Sequence, residues 1–330
     1  MGKKEQKLDK FDSALARGRA DTPWDGAGRY RADYALLKSL LGIAAGSPQQ
    51  SGTVAAAVDV WAAQELRRAG FDEDDVWPRA AQPRVLPRDI RNFVKTLPKG
   101  LQAEIEARYT RASSRKALPA EPHVLGSVYT KQADVVVASW VAGVELLVST
   151  KTMLSSYQKN LRNRFEEAYG DAKNLRGRHP LAALGFIFVV GADIPETSFD
   201  FATDMLAKLV REHDVYDCAG LLVVRGAEGA ADDAPRDERG PDEEPPGLVP
   251  LAGPVDDDAD ELQDPEATGT DGPQPKDVAL ELERVPPHLS PDVFFHDLIQ
   301  AALERMPVTA YGEARRRLNA AQDGSAPPTP

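Results

Sequence analysis

Apolar residues recur with different periods along this chain, and each period predicts a different element. Val54, Val58, Trp61, Ala62 and Ala69 share one face at about 100° per residue, which predicts a helix over Val54–Ala69 stopped by Gly70. Glu65 falls in the middle of that apolar face. Tyr34–Gly42 reads as a shorter helix, and Asp75–Trp77 as a short strand before a proline-spaced connector, Pro78–Pro87. Ile90–Ala112 reads as one or two helices. The pattern then tightens. Asp134–Ala138 and Val144–Thr152 read as strands joined by a turn at Trp140–Gly143. Ser155–Arg178 follows as a long helix whose Leu161, Phe165, Ala168, Ala172 and Leu175 make one narrow stripe, ended by Pro180. Leu184–Val190 is apolar at every position, as expected of a strand covered on both faces. A helix capped by Thr197 or Ser198 runs to about Glu212, and Gly220–Val224 is another buried strand.

The order strand, strand, helix, strand, helix, strand predicts a three-layer α/β domain with a mixed central sheet flanked by helices. Residues 1–50 are expected to form a helical, partly disordered lead-in. The core is expected over 51–226, with a helical insertion at about 80–131. Ala227–Pro275 is acidic and rich in Pro and Gly, which predicts a disordered linker to about residue 276. Over 277–318 a short strand at Val278–Leu282 is expected. A helix opened by Ser290-Pro291-Asp292 should follow, burying Phe294, Phe295, Leu298, Ile299, Ala302, Leu303 and Met306 on the main domain. Residues 319–330 are expected to form a disordered tail.

Composition changes this picture in two respects. The net charge is −12, but Glu228–Asp271 alone holds 16 acidic residues against Arg236 and Arg239, so the rest of the chain stands near +2. A mildly basic body is compatible with a nucleic-acid partner. A single cysteine, Cys218, excludes an internal disulfide and a cysteine-rich zinc site. No apolar run approaches 18 residues, so no membrane partner is expected, and the polar N-terminus lacks a signal-peptide core. A reduced, cytoplasmic setting is the expectation.

The chemistry concentrates around the strand pair. Strand alternation would put Glu145, Leu147, Ser149 and Lys151 on one face. Glu145 would lie about 20 Å from Lys151, too far to share a metal with it. Hairpin pairing would bring Asp134 beside Ser149 and Lys151. Each residue alone has a plainer reading. A strand-end lysine snorkels to solvent, a strand-opening aspartate caps a turn, and Glu65 makes a boundary ion pair. The five histidines show no metal-ligand spacing, and neither a Gly-rich phosphate loop nor a nucleophile-elbow serine appears.

Asp134 followed by Ser149-Thr150-Lys151 resembles the PD-(D/E)xK nuclease superfamily, of restriction-endonuclease-like fold. In its usual pattern an Asp opens one strand and the next carries acid-x-Lys. The likeness covers about Val54–Val224, and Ser149 departs from it where the acid usually stands. Some restriction enzymes of this superfamily carry Ser-x-Lys and draw the missing acid from the following helix. Here Glu166 and Glu167 lie 15 and 16 residues past Lys151, on different flanks. The sequence does not choose between them, although the reading favours Glu166. The resemblance also offers Glu65, because the first core helix of this superfamily often supplies a glutamate.

The function so implied is Mg²⁺- or Mn²⁺-dependent DNA cleavage, in restriction or phage defence. Asp134, Glu65 and Glu166 or Glu167 would hold the metal, and Lys151 would orient the attacking water. Ser149, Gln158, Lys159, Arg162, Arg164, Tyr169, Lys173 and Arg176 would meet the substrate. Restriction enzymes of this fold are often homodimers, but no dimer surface is legible. The alternatives are an inactive nuclease fold that binds DNA or a protein partner, and an unrelated interaction module.

Overall fold

The structure, a computed structural model, describes residues 8–16, 21–46, 52–109, 121–227 and 275–323. The expected acidic linker and the end of the tail lie outside the described residues, as does much of the expected loop at 46–52.

The centre is a six-stranded mixed sheet in the order β1-β4-β5-β6-β7-β8. Its strands are β1 (Val76–Trp77), β4 (Val135–Ser139), β5 (Gly143–Met153), β6 (Ala183–Gly191), β7 (Cys218–Arg225) and β8 (Ala279–Leu280). A separate antiparallel hairpin, β2 (His123–Leu125) and β3 (Thr130–Gln132), precedes β4. The pairs β5–β6 and β6–β7 are parallel, and the outer pairs are antiparallel. This is the three-layer α/β architecture that the element order predicts.

Two helices provide the parallel crossovers. Helix α6 (Tyr157–Arg178) joins β5 to β6, and α7 (Glu196–Arg211) joins β6 to β7. Both pack with Leu147, Phe186, Phe188 and Leu221 into one apolar core. The opposite sheet face is covered by α2 (Tyr34–Gly46), against which the short α1 (Asp12–Leu15) packs, and by α3 (Thr53–Ala69), α8 (Pro291–Arg305) and α9 (Gly312–Gln322). Their core takes Leu146, Val148, Ile187 and Leu222 from the sheet. Strand β6 is buried at all nine positions because it lies between these layers.

The helix over Pro291–Arg305 forms as its N-terminal signal predicts. Ser290 accepts a hydrogen bond from Val293 N at 3.3 Å, and Pro291 opens the first turn. Phe294 and Phe295 are fully buried, whereas Met306 lies just past the helix and is only half-buried. Two glycines make room for Phe294. A Cβ on Gly185 would stand 2.7 Å from its ring, and one on Gly220 would stand 3.2 Å from it. The N-terminal residues close the same core. Trp61 meets Phe295 edge-on at 5.1 Å, and Tyr30 lies 5.4 Å from Phe295.

Three elements differ from expectation. The insertion holds helices α4 (Arg88–Lys95) and α5 (Lys99–Tyr109), but it ends in the β2–β3 hairpin instead of remaining helical. Helix α9 extends the ordered C-terminal part to Gln322, because Ala314, Leu318 and Ala321 bury one side of it. A register shift between Val137 and Ala138 leaves Glu145 as an extra residue in β5. That bulge resets the alternation, so Glu145 does not share a face with Leu147, Ser149 and Lys151. Its carboxylate accepts from Ser139 Oγ at 2.7 Å and lies on the α9 side, near Tyr311.

Gly185→Ala should therefore force Phe294 out of its seat and lower stability by about 2 kcal/mol, measured by urea unfolding.

Candidate active site

Register and pleat place the first three residues of the site. Val135 pairs with Val148 and Val136 with Leu147, so Asp134 stands opposite Ser149. Val136 and Leu147 point into the α6 core, and the pleat sends Asp134, Ser149 and Lys151 to the same side. Lys151 is two residues beyond Ser149, roughly 7 Å along the strand. The Asp134 carboxylate accepts a hydrogen bond from Thr150 N at 2.7 Å, which ties the start of β4 to β5.

Helix α6 supplies the fourth. Its buried stripe is Leu161, Phe165, Ala168, Ala172 and Leu175. Beside that stripe, Asn160, Arg164, Glu167, Asp171 and Asn174 follow one another at spacings of four and three and form a polar flank. Glu167 receives Lys151 Nζ at 3.4 Å and Arg164 Nη1 at 3.1 Å. Glu166 is exposed on the opposite flank, with Arg162 and Tyr169. Of the two helix acids, the one that meets Lys151 is Glu167, contrary to the preference for Glu166.

The flank continues beyond Glu167. Asp171 receives Lys131 Nζ at 2.9 Å and the Tyr129 hydroxyl at 3.1 Å. Asn174 accepts from Val128 N at 2.8 Å and Tyr129 N at 3.2 Å, and donates to Tyr129 O at 3.0 Å. The β2–β3 hairpin is thereby pinned against the helix. Tyr216, fully buried, donates its hydroxyl to Ala168 O at 3.2 Å. Burial drives its pKa upward, and the neighbouring Ser149 hydroxyl opposes part of that rise.

No protein-family profile, curated protein or solved structure matches this chain. The site therefore stands on its own geometry.

Several expected residues lie elsewhere. Glu65 is on α3, across the sheet from Lys151, and is fully buried. It pairs with Arg68 Nη1 at 2.6 Å and accepts from the Tyr30 hydroxyl and Asp33 N, both at 2.9 Å. Its role is to hold the N-terminal segment to α3. Arg176 is buried and spans Asp217 at 2.8 Å and the carbonyls of Ala182 and Val215, so it faces the interior and not a substrate. Lys173 reaches His213 O at 2.7 Å and lies over the Tyr169 ring. Gln158 and Arg162 are exposed near the start of α6, and the side chain of Lys159 lies outside the described residues.

Among the described residues no group of three or more His, Cys, Asp or Glu side chains gathers closely enough to hold a metal ion. The site offers two carboxylates, those of Asp134 and Glu167. Their hard oxygens suit Mg²⁺, which is typically held by one or two carboxylates with substrate phosphates and waters completing its shell.

The Glu65 network has a pH signature. Burial pushes its pKa up to about 7, against the pull of Arg68, Asp33 N and Tyr30. Between about pH 4.5 and about pH 7 the folded state holds a proton that the unfolded state has released, so this group's contribution to stability is full below about pH 4.5 and is lost as pH rises to about 7. Burial raises Asp75 to about 7 as well, adding to the same fall. Glu65→Gln should remove on the order of 3 kcal/mol from the decline between pH 4.5 and pH 7.5, read by urea unfolding at each pH.

Proposed function

We propose that this chain is a metal-dependent nuclease of the PD-(D/E)xK kind that hydrolyses DNA in the cytoplasm, in restriction or defence against phage. The observation that carries this reading is the 3.4 Å approach of Lys151 to Glu167, on the sheet face that Asp134 and Ser149 also occupy. It supplies from α6 the acid that Ser149 lacks.

Asp134 and Glu167 would hold the divalent cation, which when bound stabilises charge on the phosphate and acidifies a water. Lys151 would orient that water and stabilise negative charge on the reacting phosphate. Its half-buried ammonium keeps a fixed position because Glu167 neutralises it, and Arg164 in turn holds Glu167 from within the same helix. Ser149 carries no charge, so it leaves the carboxylate work to Glu167. Gln158 and Arg162 stand on the flank of α6 opposite Glu167, so the substrate contacts of this reading lie on the Glu167 flank.

A second reading, a nuclease fold that binds DNA without cutting it, is favoured by the absence, among the described residues, of any group of three His, Cys, Asp or Glu side chains that could hold a metal ion. Cleavage of supercoiled plasmid with Mg²⁺ or Mn²⁺ separates the two. Asp134→Asn, Lys151→Ala and Glu167→Gln should each reduce cleavage by about 100-fold or more. Glu166→Gln should stay near wild type. Equal nicking by all four variants would refute the assignment, and DNA binding without any nicking by the wild type would establish the second reading.

A further inference from the structure

Lys131 belongs to the same surface as Lys151 but comes from a different element. It lies on β3, three residues before Asp134, and pairs with Asp171 at 2.9 Å. Asp171 is four residues beyond Glu167 on the same flank of α6, so the two acids are spaced by about 6 Å along the helix axis. Each acid holds one lysine, Glu167 that of β5 and Asp171 that of β3. The two ammonium groups therefore stand in a row along one rail of α6, beginning at the candidate site.

The Lys131–Asp171 pair is not needed to hold the hairpin. Asn174 already fixes the turn through Val128 N, Tyr129 N and Tyr129 O, and Ser127 N donates to the Asn174 carbonyl at 2.9 Å. The Tyr129 hydroxyl already donates to Asp171. Asp171 is buried and Lys131 mostly covered, so desolvation offsets much of the pair's own attraction. What the pair does provide is a lysine head held at one place. An ammonium carries three donors, so it can keep Asp171 and take a phosphate oxygen together.

We propose that Lys131 is a phosphate-binding residue of the site, contacting the duplex DNA backbone next to the phosphate addressed by Lys151, with Asp171 as its positioning residue. This rests on the nuclease reading above and extends it to the path of the substrate. The backbone would run along α6 from Lys151 toward the β2–β3 hairpin, and the hairpin would set where the duplex lies relative to Asp134. Phosphate contacts of this kind fix register without reading bases.

The test is binding of a fluorescein-labelled DNA duplex to the full chain in EDTA, by anisotropy, from 50 to 200 mM NaCl. One lost phosphate contact lowers the slope of log affinity against log salt by about 0.9, and the affinity itself by about eight-fold at 0.1 M salt. Lys131→Gln should show both changes, and Lys131→Arg should restore the slope because it keeps the charge. A merely structural role would lower the melting temperature of Lys131→Gln and leave the slope unchanged, and that result would overturn the proposal. If the wild type cleaves plasmid yet Lys131→Gln keeps the full slope, this inference fails and the nuclease reading stands. A wild type that neither binds nor cleaves DNA removes both.

Discussion

Strand β5 is buried between two helical layers, and that constraint organises the rest of the molecule. A strand offers its side chains alternately to two faces, and here most positions on both are buried, with Ser149 and Lys151 only partly so. Leu146 and Val148 fill the α3 side, while Leu147 and Met153 fill the α6 side. A lysine at position 151 must therefore either reach past the layer or meet an anion within it. It meets Glu167. An ammonium in partial burial is costly unless it is paired, so the position of Lys151 fixes which acid of α6 must turn inward. The side of the sheet on which Ser149, Asp134 and Lys151 sit follows from the same parity.

Much of this was legible in the chain. The period-two runs and the apolar stripe of α6 located the strands and the long helix because burial on both faces leaves few alternatives. Asp134 and Lys151 were legible as charged residues at the ends of apolar strands. The choice between Glu166 and Glu167 was harder. Both flank the stripe, and the deciding fact is the crossing of α6 over β5, which no local pattern encodes. The spacing of Asn160, Arg164, Glu167, Asp171 and Asn174 was the available signal, since a run of polar side chains at helical spacing beside a buried stripe marks the flank that meets other polar groups.

The misreadings have physical causes as well. Glu65 sits in an apolar face, as a metal ligand of the first core helix would, yet its burial is offset by Arg68 on the same helix and by Tyr30 and Asp33 N from a segment distant in sequence. Arg176 looks like part of a basic helical surface, but its partners Asp217 and Val215 O arrive from the start of β7. Glu145 obeys simple alternation on paper, and one extra residue in the ladder sends it to the other face. In each case a long-range contact, or a break in the period, overrides a rule that is correct locally.

The two ends of the described chain close on each other. Asp292, at the start of α8, accepts from Ala32 N at 3.0 Å and from the Tyr34 hydroxyl at 2.9 Å, a partner 258 positions away. Phe295 fills the space between Tyr30 and Trp61. As the chain emerges from the ribosome, Tyr30 and Trp61 wait with an open apolar trough until α8 has been made. Contacts at such separation carry a large chain-closure cost before they return any stability, so folding of this layer is slow and comes late. A nascent or truncated chain that stops before α8 exposes that trough, and α8 in effect licenses the rest of the core to become a finished protein.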